Sequence, residues 1–177
     1  MLFKILIGLA AILGVFLIYV ALQPSRSVIS REVSINATPA KVFPFLTTRT
    51  VANSWNPFLK RDTTAKITFE GPETGVGSAT IWEGGKELGE GRATVTEIVP
   101  YEKVTVRLEY KKPFVMTQEA YYLLRQEGAQ TIVTWKVEGD SPFWIRAICV
   151  FINMEKQVGD SFSAGLAELK TKVEKEK

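Results

Sequence analysis

The last segment of the chain, residues 154–177, reads MEKQVGDSFSAGLAELKTKVEKEK, and it decides the fold. Its apolar residues recur at spacings of three and four, which places them on one face of an α-helix. They are Met154, Val158, Phe162, Leu166, Leu169 and Val173. The opposite face carries charged and polar residues that are expected to face water. The apolar stripe of such a helix needs a covering layer, and the segments upstream must supply it.

Two glycines, Gly159 and Gly165, interrupt this helical pattern. Each is expected to cost about 1 kcal/mol relative to alanine in a helix interior. Their presence predicts that something approaches the helix surface closely. Either side chains from another element or a bound ligand would explain it.

Seven upstream segments have the alternating apolar and polar pattern of β-strands. They are residues 28–36, 65–69, 77–83, 88–99, 103–111, 117–125 and 131–138. The links between the last six are short, which favours antiparallel neighbours, because a parallel crossover needs a dozen or more residues. In residues 103–111, Val104, Val106 and Leu108 share one parity and oppose Thr105 and Arg107. A sheet with one apolar face needs one covering layer.

The predicted fold is therefore α+β: a curved antiparallel sheet of about seven strands around a long C-terminal helix. Two short helices are expected after the first strand. Thr38 and Pro39 are typical of a helix start, while Pro44 should truncate or kink that helix. Residues 50–58 are expected to form the second helix or a turn. Cys149 lies among apolar residues and is expected to be a buried, inert thiol.

The N-terminal residues 5–22 are uninterruptedly apolar. As a helix they would span about 27 Å, close to the thickness of a bilayer core. A cleavable signal peptide is the alternative, but the exit from Tyr19 to Pro24 offers no good pair of small residues for cleavage. We expect residues 1–26 to form a single-pass membrane anchor and linker, and residues 27–177 to form one domain. The distribution of Lys4, Arg26 and Arg31 slightly favours an extracytoplasmic domain.

Composition narrows the function classes. The chain has 22 basic and 19 acidic residues and no basic run apart from a mixed Lys/Glu tail, so nucleic acid is not an expected partner. It contains no histidine, which removes the commonest general base and metal ligand. With one cysteine, neither an intramolecular disulfide nor a zinc site is expected. We predict no metal and no cofactor.

Several short motifs, in order, carry a family resemblance. They are Ser34-Ile35-Asn36-Ala37-Thr38-Pro39, Trp55-Asn56-Pro57-Phe58, Gly75-Val76-Gly77-Ser78 running into Trp82, Gly89-Glu90-Gly91-Arg92, Ala120-x-Tyr122-x-Leu124, Thr131-x-Val133-x-Trp135 and Gly159-x-x-Phe162-x-x-Gly165-Leu166. With these motifs the chain resembles the START-like, helix-grip (SRPBCC) superfamily, and within it the bacterial polyketide cyclase/dehydrase-type proteins. The resemblance spans residues 28–174. It implies a deep cavity between sheet and C-terminal helix that accepts an apolar small molecule, and it does not imply catalysis.

Apolar and aromatic residues from separate elements are expected to converge on that space. The candidate ligand-binding residues are Trp55, Phe58, Trp82, Met116, Tyr122, Trp135, Phe143, Val158, Phe162 and Leu166. Large apolar side chains with a few polar tips are the usual lining of a small-molecule site. Ordinary core packing is the alternative for any one of them.

Two further features bear on function. Glu97 shares parity with Val95 and Val99, so it is the one carboxylate expected to face inward, where a raised pKa would suit a general base. Residues 143–152 are apolar on nearly all sides and are expected to form either a lid over the cavity or a membrane contact, with a bend near Asn153.

Three functions are consistent with the sequence. The first is a membrane-tethered module that binds a hydrophobic or lipid-like small molecule. The second is a cyclase- or dehydratase-type enzyme acting on a polyketide-like substrate through a buried carboxylate. The third is a ligand-free interaction protein.

Overall fold

The computed structural model describes residues 2–85 and 88–176, and its elements follow the predicted order. The helices are α1 (Leu2–Leu22), α2 (Pro39–Val42), α3 (Pro44–Thr47), α4 (Arg49–Trp55), α5 (Pro57–Arg61), α6 (Phe143–Cys149) and α7 (Met154–Lys175). The strands are β1 (Arg26–Ile35), β2 (Lys66–Glu70), β3 (Ala79–Gly85), β4 (Gly89–Val99), β5 (Lys103–Lys112), β6 (Met116–Glu127) and β7 (Gln130–Asp140). Each predicted strand is present, with ends that differ by a few residues.

The strands form one antiparallel sheet in the order β1-β7-β6-β5-β4-β3-β2. Strands β2 to β7 are successive neighbours, as their short links predict. The first strand, β1, lies at one edge of the sheet and pairs with the last strand, β7, with Val33 opposite Val133. The predicted helix-grip architecture is confirmed: a seven-stranded antiparallel sheet with a long C-terminal helix.

The terminal helix α7 lies mainly over β1 and touches β7. Its buried side chains Phe162, Leu166, Leu169 and Val173 belong to the apolar stripe that the sequence predicts. The inner faces of β4 and β5 lie beyond this contact. That offset leaves room between sheet and helix.

Side chains from other elements pack against the two glycines of α7. A Cβ atom at Gly159 would lie 2.1 Å from Nη2 of Arg31, and one at Gly165 would lie 2.8 Å from Cδ of Pro57 and 2.9 Å from Cζ3 of Trp135. Of the two explanations for the glycines, close approach of protein side chains is the one observed. The glycines therefore give no separate argument for a ligand.

The two helical segments after β1 are each divided at a proline. Pro39, Pro44 and Pro57 all occupy the first turn of a short helix, where the missing N–H costs nothing. Asn56 caps α5 because its side chain accepts a hydrogen bond of 3.0 Å from the backbone N–H of Phe58. These short helices close one end of the space between sheet and α7.

The apolar segment after β7 is shorter as a helix than residues 143–152, since α6 ends at Cys149. The predicted bend is present. Asn153 begins the next helix, and its side-chain oxygen accepts a hydrogen bond of 2.9 Å from the N–H of Lys156.

The N-terminal helix α1 is long and apolar enough over Phe3–Leu22 to cross a membrane. A signal sequence near an N-terminus meets the same criterion. Most of its side chains are exposed, while Val20 near its C-terminal end is fully buried against the domain.

Candidate ligand-binding cavity

A cavity of about 850 Å³ lies between the inner face of the sheet, the short helices, α6 and α7. Its walls include Val106, Leu108 and Tyr110 of β5, which share the parity that the sequence assigns to the core. These side chains are only half-buried because they border open space instead of α7.

Seven of the ten predicted residues line this cavity. They are Phe58, Trp82, Met116, Tyr122, Trp135, Val158 and Phe162. They come from α5, β3, β6, β7 and α7, so the convergence of separate elements on one space is observed. Their role as ligand contacts stays a prediction.

Aromatic rings form one end of the cavity. The rings of Trp135 and Phe162 are stacked with centroids 4.1 Å apart and planes 6° apart. Phe58 meets both edge-on at 6.0 Å. Such contacts stabilise aromatic pairs beyond their area burial, so this wall is closely packed and apolar.

Three predicted residues lie elsewhere. Trp55 is buried behind the aromatic wall, where its ring meets Tyr122 and Trp135 edge-on and its indole N–H donates to the carbonyl of Phe45 at 2.9 Å. Leu166 is fully buried in the packed core under α7. Phe143 is exposed on α6. Helical and strand periodicity gives the direction of a side chain, and it does not tell packed core from cavity wall.

The prediction that Glu97 faces inward is wrong. Val95 pairs with Val106 and Glu97 pairs with the next residue, Thr105, so Thr96 is an extra residue on β4. This β-bulge reverses the side on which later residues of the strand point. The Glu97 carboxylate is 53% exposed, lies 2.9 Å from Nζ of Lys103, and has a pKa lowered mainly by that ammonium group.

The polar groups on the cavity wall are mostly neutral. Burial raises the pKa of Tyr110 to about 12 and raises that of Tyr122 further, so both hydroxyls are protonated at neutral pH. Neither hydroxyl hydrogen-bonds to another residue within 2–85 and 88–176. Gln118 joins them on the wall. These groups offer hydrogen bonds to an uncharged polar group of a ligand.

The charged residues on the cavity wall are held by other protein groups. Nη2 of Arg49 lies 2.8 Å from the Glu73 carboxylate, and its Nη1 donates to the carbonyl of Glu70 at 2.9 Å. Glu155 pairs with Arg31 at 2.8 Å. Both charges are therefore paired within the protein, while Nε of Arg49 is buried without a hydrogen-bond partner within residues 2–85 and 88–176. The wall is suited to an apolar guest with a neutral polar group.

The cavity opens beside α6 and the start of β1. Ile145, Cys149, Val150 and Phe151 line this mouth together with Ser27. The prediction of a buried Cys149 is wrong, since its thiol is exposed at the mouth. Desolvation raises its pKa, so the thiol is not activated as a nucleophile.

Sequence reasoning missed part of the wall. Val106, Leu108 and Tyr110 had the correct parity, so that signal could have added them to the list. The mouth residues on α6 could not be found this way, because the segment is apolar on nearly every side and its periodicity indicates no preferred face.

Comparisons with known proteins agree with this geometry. The sequence profile of a protein family described as "Polyketide cyclase / dehydrase and lipid transport" matches residues 26–174. No curated protein sequence is significantly similar to the chain.

Solved structures with the same fold share little sequence. Truncated norcoclaurine synthase from Thalictrum flavum superposes with a TM-score of 0.65 at 14% identity, covering 88% of this chain and 99% of that one. The Aha1 dimer from Colwellia psychrerythraea gives a TM-score of 0.60 at 20% identity, with coverages of 85% and 98%. Ara h 8.0201 gives 0.56 at 11% identity, with coverages of 84% and 97%. At these identities the likeness shows the fold alone.

Proposed function

The chain belongs to the polyketide cyclase/dehydrase and lipid transport family, and from this premise we propose that it binds a hydrophobic, lipid-like small molecule in the cavity beside α7. Residues 27–177 would form the binding domain. Residues 1–26 would form a membrane anchor and the linker that joins this anchor to the domain.

The observation that carries this proposal is an open, largely apolar cavity of about 850 Å³ within the fold. Ligand sites in proteins typically measure about 300–1,000 Å³. Each buried methylene of a guest contributes about 0.8 kcal/mol. An acyl chain or fused-ring skeleton therefore gains substantial binding free energy here, even after its loss of freedom on binding is subtracted.

The neutral wall favours a guest without a buried charge. Placing an unpaired carboxylate beside Tyr122 and Trp135 would cost several kcal/mol. A hydroxyl, ester or carbonyl would instead accept or donate hydrogen bonds with Gln118, Tyr110 or Tyr122. We therefore expect an uncharged lipid or ester to bind better than the corresponding free acid.

Binding is tested with the full chain in detergent and with a pyrene-labelled fatty acid and its methyl ester as probes. Val106→Trp projects an indole into the cavity from β5 and is expected to weaken saturable binding. Arg107→Trp, on the opposite face of the same strand, is the matched control and should retain it. Equal binding by both variants would contradict the proposal.

The natural ligand is sought separately. Native mass spectrometry and organic extraction of the protein purified from membranes should yield a co-purifying neutral lipid from the wild type and from Arg107→Trp. Val106→Trp should yield less. Wild-type protein that neither carries a ligand nor binds either probe would refute the binding function.

Membrane tethering has its own test. If α1 is a retained anchor, the purified protein has the mass of the uncleaved chain and resists extraction from membranes by alkaline carbonate. A shortened mass that lacks the apolar segment would show that α1 is a signal peptide and would end this part of the proposal.

A further inference from the structure

The C-terminal end of α1 is fastened to α6 by one arginine. Nη1 of Arg146 lies 2.7 Å from the carbonyl oxygen of Gln23 and 3.3 Å from that of Val20. These carbonyls belong to the last turn of α1 and the residue that follows it, where a cation is favoured by the helix dipole. The backbone also joins here, since the N–H of Ser141 donates to the carbonyl of Ser25 at 2.7 Å.

Apolar contacts reinforce this junction. Val20 is 0% exposed, and the rings of Phe16 and Phe151 lie 5.6 Å apart. The linker between α1 and β1 is only residues 23–25, which reach about 10 Å when fully extended. The position of α6 relative to the apolar helix is therefore determined by direct contacts and by a short connection.

An exposed apolar surface lies beside this junction, and we call it the apolar rim. It consists of Phe114, Val115, Phe143, Trp144, Ile148, Phe151 and Ile152. Val115 is 82% and Phe151 79% exposed, which is unusual for large apolar residues grouped together. Phe114, at the β5–β6 connection, meets Trp144 of α6 with ring centroids 4.0 Å apart, so the two parts of the rim touch.

The same short helix also borders the cavity mouth. Ile145 and Cys149, four residues apart, line the cavity, whereas Trp144 and Ile148, also four apart, are exposed. Residues four apart share one face of a helix. One face of α6 therefore belongs to the cavity and a neighbouring face belongs to the rim.

We propose that the apolar rim lies in the surface of the bilayer that α1 crosses, so that the cavity mouth opens to lipid and the guest passes between bilayer and cavity without crossing water. This inference rests on the proposed function for its anchor and its ligand. The rim contacts a lipid surface, because a membrane-spanning α1 ends next to α6. Arg146 holds α6 at that end of α1, so the rim lies beside the bilayer that α1 crosses. Exposed Trp144 suits the interface of a membrane.

The first experiment measures the depth of Trp144 in nanodiscs of phosphatidylcholine with a quarter phosphatidylglycerol. The fluorescence of Trp144 is obtained as the difference between the full-length wild type and Trp144→Phe, since the other three tryptophans are buried. Phosphatidylcholine brominated near the headgroup end of its acyl chains is expected to quench this component more strongly than aqueous acrylamide does. Quenching by acrylamide alone, or by neither agent, would overturn the proposal, the latter result indicating a protein partner on the rim.

The hydrogen bonds from Arg146 to the carbonyls of Val20 and Gln23 are called the clamp, and a variant of Arg146 tests their role. Arg146→Met removes the hydrogen bonds to the end of α1, and the bromolipid quenching of Trp144 should fall. Arg125→Met is the control, because Arg125 pairs with Glu127 at the far end of β6. Unchanged quenching in Arg146→Met would show that the clamp does not position the rim.

The second experiment distinguishes the role of the rim in ligand transfer from the role of the cavity in ligand binding. In Val115→Asp the cavity wall is untouched, so binding of the pyrene ester in detergent should equal that of the wild type. Transfer of the ester from the nanodisc bilayer into the protein should slow by about tenfold or more, because the apolar chain of the ester must then cross water. Wild-type transfer rates in Val115→Asp would refute the rim while leaving the binding function intact. Loss of binding in the wild type would refute the binding function, and the bromolipid result would still decide the position of the rim.

Discussion

At the scale of single residues, the two glycines of α7 differ in what surrounds them. Gly165 faces the ring of Pro57 at the start of α5 and the indole of Trp135, which belongs to the buried core. Gly159 faces the guanidinium of Arg31, which is the far end of a flexible side chain. The same substitution is therefore expected to have different effects at the two positions.

Gly165→Ala is expected to destabilise the protein, because overpacking costs about 1–3 kcal/mol and exceeds the gain of about 1 kcal/mol in helix propensity. Gly159→Ala should be neutral or stabilising, since Arg31 can move away at the expense of its exposed pair with Glu155. Thermal unfolding of the full chain in detergent measures both. A Gly165→Ala protein as stable as Gly159→Ala would show that the wall near Trp135 is soft.

Glu138 on the outer face of the sheet makes stability depend on pH. Its carboxylate lies 2.7 Å from Nζ of Lys136 and 2.7 Å from Nη2 of Arg26, and these contacts lower its pKa from the ordinary value of 4.5. A group whose pKa is lower in the folded state stabilises the fold fully above its unfolded pKa. That contribution is lost as the pH falls through the folded pKa.

Glu138→Gln is therefore expected to lower the melting temperature at pH 7 and to have a smaller effect well below pH 4.5. The measurement is a series of thermal melts against pH. Glu127→Gln serves as the control, since the carboxylate of Glu127 pairs with Arg125 at the exposed end of β6. An effect of Glu138→Gln that stays constant across the range would contradict the assigned ion pairs.

At the scale of elements, periodicity predicts most of the fold because each strand has one apolar and one polar face. It predicts the inward side of β5 and β7 correctly, and it fails on β4 after Val95. The bulge at Thr96 adds a residue that no alternation reveals, so Glu97 points outward. Trp55 and Leu166 lie in the packed core and not on the cavity wall. Whether an inward residue meets solid core or open space depends on where α7 lies over the sheet.

The junction between α6 and α7 depends on the cap at Asn153. Asn153→Ala removes the hydrogen bond to the N–H of Lys156 and should cost about 1 kcal/mol. Asn153→Asp keeps an oxygen acceptor and should retain stability. The expected order of melting temperatures in detergent is wild type, then aspartate, then alanine. An alanine variant equal to the wild type would show that the break before α7 needs no cap.

At the scale of the whole molecule, a continuous series of contacts connects the cavity with its mouth and the mouth with the apolar helix α1. The aromatic wall around Trp135 closes the inner end, and α6 borders the opening. The clamp from Arg146 joins that opening to α1. The sequence could predict the two ends of this arrangement from apolar patterns, but the clamp joins residues more than a hundred positions apart and leaves no periodic signal.

The single cysteine reports on the mouth, because Cys149 lines the cavity and is exposed. Its raised pKa predicts slow labelling by a maleimide at neutral pH, with a rate that increases as the pH rises and the thiolate forms. A bound pyrene ester should slow labelling further by covering the thiol. In Val106→Trp, whose cavity is obstructed by the indole, the ester should slow the labelling less than in the wild type. If the ester slows labelling equally in wild type and Val106→Trp, it acts at the outer surface, and the route from mouth to cavity is not the one that the guest occupies.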